Sequence, residues 1–446
     1  VAEPTARSPE DAEGPEDAEA IAGEDPTLQL ARRVPDLLRD RAFGPYFIGQ
    51  IVATMGVWIQ NVAAAIIVWE LTRSTTLVAA ITVGQFAPHI LLTPWSGARA
   101  DRADRRRQLV TGTFITAAGT GLLAAWSAGP GLEGTPSAYA VVLAATIVGI
   151  GFAIAGPAAQ ALMPSLVRRS ELPTAIAISS IPMTVARALG PAIGALLITT
   201  SGPTVTFAIV SVLQATYGVM MFSRRVTASN GTRRDTRILA AVSYLGHNRP
   251  MGFLLIGVAV VGLGVDPVIT LTPAFAYALG GGGELVGSIS SAFGVGAMLG
   301  FAVQPQLRRR IGLERSGTLG LVVLAIGLAP LALASVPSVA VATMLVAGAG
   351  MTLSLTAFTT AIQQRVPDVL RGRVMALWSI AFLGSRPLAA ALSGVLSDVA
   401  GEDVALYAAV LIILGGALLS RPSLTREVQP ESAIITEERF AGPRPT

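Results

Sequence analysis

The chain contains no cysteine and no lysine, two histidines, and charged side chains at only 13% of its 446 positions. Each shortage removes a class of function. Without cysteine there is no disulfide, no thiolate nucleophile and no thiolate metal site. Two histidines, His89 and His247, are too few for a multi-histidine metal centre. A nucleophile elbow and a His-Glu metal motif are also missing, so the sequence predicts a protein that is not an enzyme and holds no cofactor and no metal. Soluble domains are about one-quarter charged, and this chain has about half that share beside 52% hydrophobic residues.

What is abundant is apolar length. A helix crossing the hydrocarbon core of a bilayer needs roughly 20 apolar residues, and about twelve such stretches lie between positions 43 and 420. They lack the short alternating pattern of barrel strands. The predicted class is an all-α membrane protein with twelve transmembrane helices. All 32 cationic side chains are arginine, and most collect at one set of helix ends, at Arg39, Arg41, Arg168, Arg249, Arg365, Arg373 and the runs 105–107 and 308–310. The other set carries only Arg73. The excess of arginine places the first set in the cytoplasm. Both termini are then cytoplasmic, which requires an even number of crossings. The net charge of +4 points to anionic lipids on the cytoplasmic face of the cell membrane and not to nucleic acid.

The chain repeats itself. The second and eighth apolar stretches, 76–97 and 285–304, each run into a basic turn: Gly97, Asp101-Arg102 and Arg105-Arg106-Arg107, then Gly300, Gln304-Pro305 and Arg308-Arg309-Arg310. Arg41-x-x-Gly44 matches Arg249-x-x-Gly252, and Arg187 matches Arg386, all at an offset near 200. Residues 1–40 read as an acidic, disordered cytoplasmic tail, 41–222 as a six-helix half, 223–248 as a cytoplasmic linker with an amphipathic helix, 249–420 as a second half, and 421–446 as a cytoplasmic tail. Two parallel six-helix pseudo-repeats are the layout of a secondary transporter.

The stretch from Gly97 to Arg106 resembles the loop signature of the major facilitator superfamily, which expects Gly, Asp-Arg four residues on, then two basic residues. Val366-Pro367-Asp368 with Arg371-Gly372-Arg373, and Ala186-Arg187-x-x-Gly190-Pro191-x-x-Gly194, resemble its enterobactin-exporter-like and macrolide-efflux-like drug antiporters. The likeness spans roughly 40–420. It implies the major facilitator fold, a monomer, and export of small amphiphilic molecules (drug-like or siderophore-like) by alternating access, in exchange for protons. Uptake by a symporter or uniporter of the same fold, or a receptor or scaffold that moves nothing, are the alternatives. It also implies a gating loop of Gly97, Asp101, Arg102, Arg105 and Arg106, repeated less completely by Gly300, Arg308 and Arg309. Gln304 and Pro305 stand where the second copy would carry Asp and Arg, so a weaker second latch and asymmetric gating are expected.

Gly190, Pro191 and Gly194 form a candidate hinge, with Ala195 closing the motif where glycine is expected. Asp266, Arg187 and Arg386 fall near the middles of their helices. Charge at that depth costs at least about 2.5–3.5 kcal/mol and faces a cavity or a partner. Asp266 is a proton carrier, or a group paired to an arginine, or a residue of the outer mouth. The arginines bind an anionic group of the substrate or cap carbonyls freed by Pro191 and Pro387. His89 is a second proton-carrier candidate. The fourth stretch, from Ala138, has no arginine, where proton-coupled relatives often carry one. Gln50, Trp58 and Asn61 are candidate cavity residues by resemblance, and Glu70, beside Trp69, reads as an interfacial side chain.

Overall fold

The computed structural model describes residues 34–102, 104–129, 131–222, 243–246 and 248–425. The predicted acidic tail up to residue 33, most of the linker helix and the tail after 425 lie outside the described residues. Of the linker, 243–246 is helical, and Tyr244 is buried in the larger hydrophobic core.

The long helices are α1 (Phe43–Thr72), α2 (Thr75–Arg102), α3 (Arg105–Ala128) and α4 (Gly134–Leu162). Next comes an unbroken-looking run, Ile181–Phe222, of 42 residues. At 1.5 Å per residue it would be about twice as long as a bilayer core is thick. The run is interrupted at Gly202, where φ is 76° and ψ is 176°, a conformation that only glycine adopts without strain. We number the pieces α5 (181–201) and α6 (203–222). The chain reverses there. Trp58 and Ile59 of α1 meet Gly190 and Gly194 of α5 in parallel order, while Gly49 and Gly56 meet Tyr217 and Val210 of α6 in antiparallel order. The second half is α7 (Arg249–Ala278), α8 (Gly282–Ile311), α9 (Leu313–Leu328), α10 (Pro337–Arg365), α11 (Asp368–Ala400) and α12 (Glu402–Leu419). Among the described residues eleven spans are long and apolar enough to cross a membrane, and the reversal at Gly202 makes one of them two, giving twelve candidate crossings there.

The two halves share one pairing scheme. In the first, α1 packs on α5 and α6, α2 and α3 pack on α4, and α3 packs on α6. Adding six to each number gives the second: α7 on α11 and α12, α8 and α9 on α10, α9 on α12. The halves meet along α2 against α11 and α5 against α8. Lipid supplies no hydrophobic drive for helices to associate, so close backbone packing at small residues holds them together. At Gly348 of α10 a Cβ would stand 1.9 Å from the Phe293 carbonyl oxygen of α8. Because that obstacle is backbone, Gly348→Ala is expected to destabilise the second half by about 1–3 kcal/mol. Thermal unfolding in detergent checks this, and an unchanged Tm would show that α8 and α10 yield freely.

One end of the bundle carries the runs at 105–107 and 308–310 and is called the basic end here; the opposite end holds Ser74, Gly202, Gly280 and Gly401. The sequence places the ends of α2 and α8 at 97 and 304, but both helices continue, to Arg102 and Ile311. Cations in the final turn favour the negative helix C-terminus, which lets the arginine-rich residues join the helix.

Candidate functional site

At the opposite end the halves are joined by a carboxylate. Asp398 lies in the last turn of α11, where its charge opposes its own helix dipole. It is compensated by the N-terminus of α2. The Thr75 and Thr76 N–H groups donate to it at 2.8 and 3.0 Å, and the Ser74 and Thr75 hydroxyls donate at 2.6 and 2.5 Å. A helix N-terminus has unsatisfied N–H donors, so the carboxylate serves as a cap supplied by the other half. Close by in sequence, Tyr277 of α7 donates its hydroxyl to Glu70 of α1, and the Arg73 guanidinium lies 4.9 Å from the Tyr277 ring centre. Glu70 is therefore half of a second inter-half contact, where the sequence suggested only an interfacial residue.

Toward the basic end the same faces part. On α8, Gly283, Gly287, Ser291 and Gly294 pack against α5. One and two turns further on that face, Met298 and Phe301 are 40% and 50% exposed. On α11, Gly394 touches Ala79 and Gly384 approaches Ile90 of α2, while Ile380 is 43% exposed. Gly97 of α2 has nothing within 4 Å of the place a Cβ would take.

The charged residues sit where the closed part meets the open part. Asp266 of α7 is fully buried, and its carboxylate lies 3.5 Å from the Arg386 guanidinium of α11. The same guanidinium stacks 4.0 Å from the Phe86 ring centre, and Thr82 lines the small cavity beside it, so α2 of the first half closes over the ion pair. Asn61, Thr82, Gln85, Ile269 and Arg386 are among the residues lining a cavity of about 10 Å³, room for about one water. Asp266 lies midway along α7, away from the Ser74–Asp398 contacts of the opposite end. Of the two roles open to Arg187 of α5, carbonyl capping finds no hydrogen bond among the described residues. Its guanidinium lies 5.5 Å from the Trp58 ring centre and donates to the Met351 sulfur of α10 at 3.6 Å. Arg386 likewise caps no carbonyl freed by Pro387 but pairs with Asp266. Arg187 and Arg386 are near enough to repel.

The other candidates divide. Trp58 and Asn61 reach the centre between the halves, whereas Gln50 lies one turn from Tyr46, whose hydroxyl donates to the Ala159 carbonyl nearer the basic end. His89 is buried between α2 and α4, its ring 5.3 Å from that of Phe152. Gly190 and Gly194 bring α5 close to α1 of their own half, and the Pro191 carbonyl faces Gly287 of the other half. The helix keeps helical dihedrals through Pro191 and departs from them at Gly202. In the gating loop, the side chains of Asp101 and Arg102 lie outside the described ones. Arg105 and Arg106 donate to the Ala161 and Phe222 carbonyls at the ends of α4 and α6, at 3.2 and 2.6 Å. Gly300 packs against Ala349, and Arg308 and Arg309 are exposed. Gln304 is buried inside α8 and does not stand at the turn.

Sequence reasoning missed four residues. Asp104 caps α3, accepting the Arg106 and Arg107 N–H groups at 2.9 and 3.1 Å. Glu314 pairs with Arg365 across α9 and α10 at the basic end. Gln108 donates to Ser96 and Ile154, tying α2, α3 and α4 together. Asp398 is the fourth, and an acid in a C-terminal helix turn was its available signal.

A family model described as transmembrane secretion effector matches residues 35–444. The chain is 25% identical over 166 residues to the staphyloferrin A transporter of Staphylococcus aureus (strain NCTC 8325 / PS 47), a match covering 36% of this chain and 40% of that one. Its structure resembles a bacterial homologue of the human lysosomal transporter Spinster in an inward-facing, occupied conformation (TM-score 0.68, 15% identity, 89% of this chain and 96% of that one). It also resembles a D-xylose–proton symporter (TM-score 0.67, 16% identity, 86% and 98%). At such identities the two structures speak for the fold alone.

Proposed function

This chain belongs to the transmembrane secretion effector family of major facilitator transporters, and on that premise we propose that it exports small amphiphilic molecules from the cytoplasm by alternating access, in exchange for protons. The observation that carries the reading is the inter-half face that is packed at one end and exposed at the other. Two halves related as parallel repeats pivot about a midplane site by exchanging which end is packed. The arginine-rich end is cytoplasmic by the positive-inside rule, so both termini are cytoplasmic and the arrangement is the inward-open one. Asp398 with Ser74, Thr75 and Thr76 is then the outer gate. Asp101, Arg102 and Arg105, with the weaker copy at Arg308 and Arg309, form the inner latch in the other state. In the inward-open arrangement Arg105 and Arg106 are occupied by carbonyls of their own half. The protein acts as a monomer in the cell membrane, with anionic lipids beside its cytoplasmic arginines.

Asp266 is the proton carrier in this reading. Protonation removes the charge that holds Arg386 and so loosens the junction between α2, α7 and α11. In proteoliposomes, Asp266→Asn is expected to keep substrate counterflow but to lose stimulation by an imposed pH gradient. Full stimulation in that variant would remove Asp266 from proton coupling. Absence of counterflow for every compound in a drug and dye panel, in the wild type, would end the transport reading. Uptake by symport is the competing direction, and accumulation of dye by everted vesicles on acidifying their lumen separates the two.

A further inference from the structure

The midplane site holds two guanidiniums and one carboxylate. Asp266 answers Arg386. Among the described residues Arg187 has no carboxylate partner, its Nε is buried without an acceptor, and its Nη1 has only the weak thioether acceptor of Met351. A half-buried guanidinium left with a sulfur and an aromatic face has donors free for a stronger acceptor. The aromatic face belongs to Trp58 of α1, and the sulfur belongs to α10, so the guanidinium bridges the first half to the second. Arg187 lies one residue from Ala188, which packs on Gly294, and Met298 on the next turn of α8 is exposed. The guanidinium thus stands at the head of the opening toward the basic end.

We propose that the transported molecule is an organic anion whose carboxylate is held by Arg187, with its apolar body against Trp58 and Met351. The inference rests on the transport reading and names the substrate class of that same site. A planar guanidinium offers a fork of donors that matches a carboxylate bidentately. A carboxylate would replace the thioether with a strong acceptor and neutralise the one unbalanced positive charge. Because Arg187 contacts both halves, the bound anion also links them at the pivot. Cationic amphiphiles meet two repelling guanidiniums and are disfavoured.

The test uses the full chain in detergent, titrated calorimetrically with citrate and benzoate, and with ethidium and glucose as cationic and neutral controls. At least one carboxylate is expected to bind saturably, and chloride to compete. Arg187→Gln is expected to weaken that binding about tenfold or more, the loss for a charge-assisted hydrogen bond. Arg187→Lys, which keeps the charge, retains much of it, and Trp58→Leu weakens binding without abolishing it. Carboxylate binding that Arg187→Gln leaves intact overturns the inference, as does a wild type that binds ethidium and neither carboxylate. The wild-type panel decides this even where a variant fails to fold. Counterflow of the same probes separates the two readings. Binding of a carboxylate without exchange keeps the anion site and removes transport, whereas exchange of ethidium without carboxylate binding does the reverse.

Discussion

Arg386→Gln is expected to be the most damaging single substitution in the bundle, lowering stability by about 3–5 kcal/mol. The reason lies in what it leaves behind. Asp266 is fully buried, and Arg386 is the cation beside it. Removing the guanidinium leaves a fully buried carboxylate without its ion-pair partner, and it also removes the stack on Phe86 that joins α11 to α2. The double variant Asp266→Asn with Arg386→Gln carries no stranded charge and should recover most of the loss. The two single variants and the double form a cycle read by thermal unfolding in one detergent. If the single Arg386→Gln change is tolerated, or the double is worse than the sum of the singles, then the pair does not hold the junction. Arg187→Gln, by contrast, strands no carboxylate, and its effect on stability should be small beside that of Arg386→Gln.

The second large effect is expected from Asp398→Ala and concerns the balance of states. The carboxylate receives two backbone and two hydroxyl donors from Ser74, Thr75 and Thr76. Hydrogen bonds of this kind contribute about 0.5–1.5 kcal/mol each. Asp398 is exposed, so solvent screens the sum, and about 2 kcal/mol, a shift of roughly 30-fold between conformations, is the working figure. The contact exists only while the opposite end is shut, so its loss favours the state in which that end opens. A spin-label or fluorophore pair on Thr200 of α5 and Gly280 beyond α7 would report a longer distance in the variant. Asp398→Glu, whose longer side chain can still reach the donors of Ser74, Thr75 and Thr76, should remain closer to wild type. An unchanged distance distribution in Asp398→Ala would mean that the end is held by Glu70, Arg73 and Tyr277 and that the α2 cap is incidental.

Much of this protein was legible in its amino acids because the bilayer is an undiscriminating solvent. It asks each segment for length and apolarity, and it sorts arginine to one side. Those demands are local, so twelve crossings, the shared basic end and the six-plus-six repeat could be read residue by residue, and the described residues show all three. The same reasoning marked Asp266, Arg187 and Arg386 as costly and hence partnered or functional. It went astray at helix ends, where arginine was read as loop. Arg102 and Arg308 are helical because a C-terminal turn accepts cations. It placed the break between α5 and α6 near 201–203, where Gly202 carries the reversal, and α5 keeps helical dihedrals through Pro191.

Which charge meets which was a separate matter. Asp266 is far from both arginines in sequence, and one helical turn of slippage between α7 and α11 would break its contact with Arg386. Asp398 and Thr75 are 323 residues apart and come together through the docking of one half on the other. Composition and periodicity therefore fixed the class, the crossings and the list of charged residues, because each depends on a segment's own transfer into lipid. The pairing of Asp266 with Arg386, the unmatched Arg187 and the cap at Asp398 were decided by helix register and inter-half packing, which no single segment encodes.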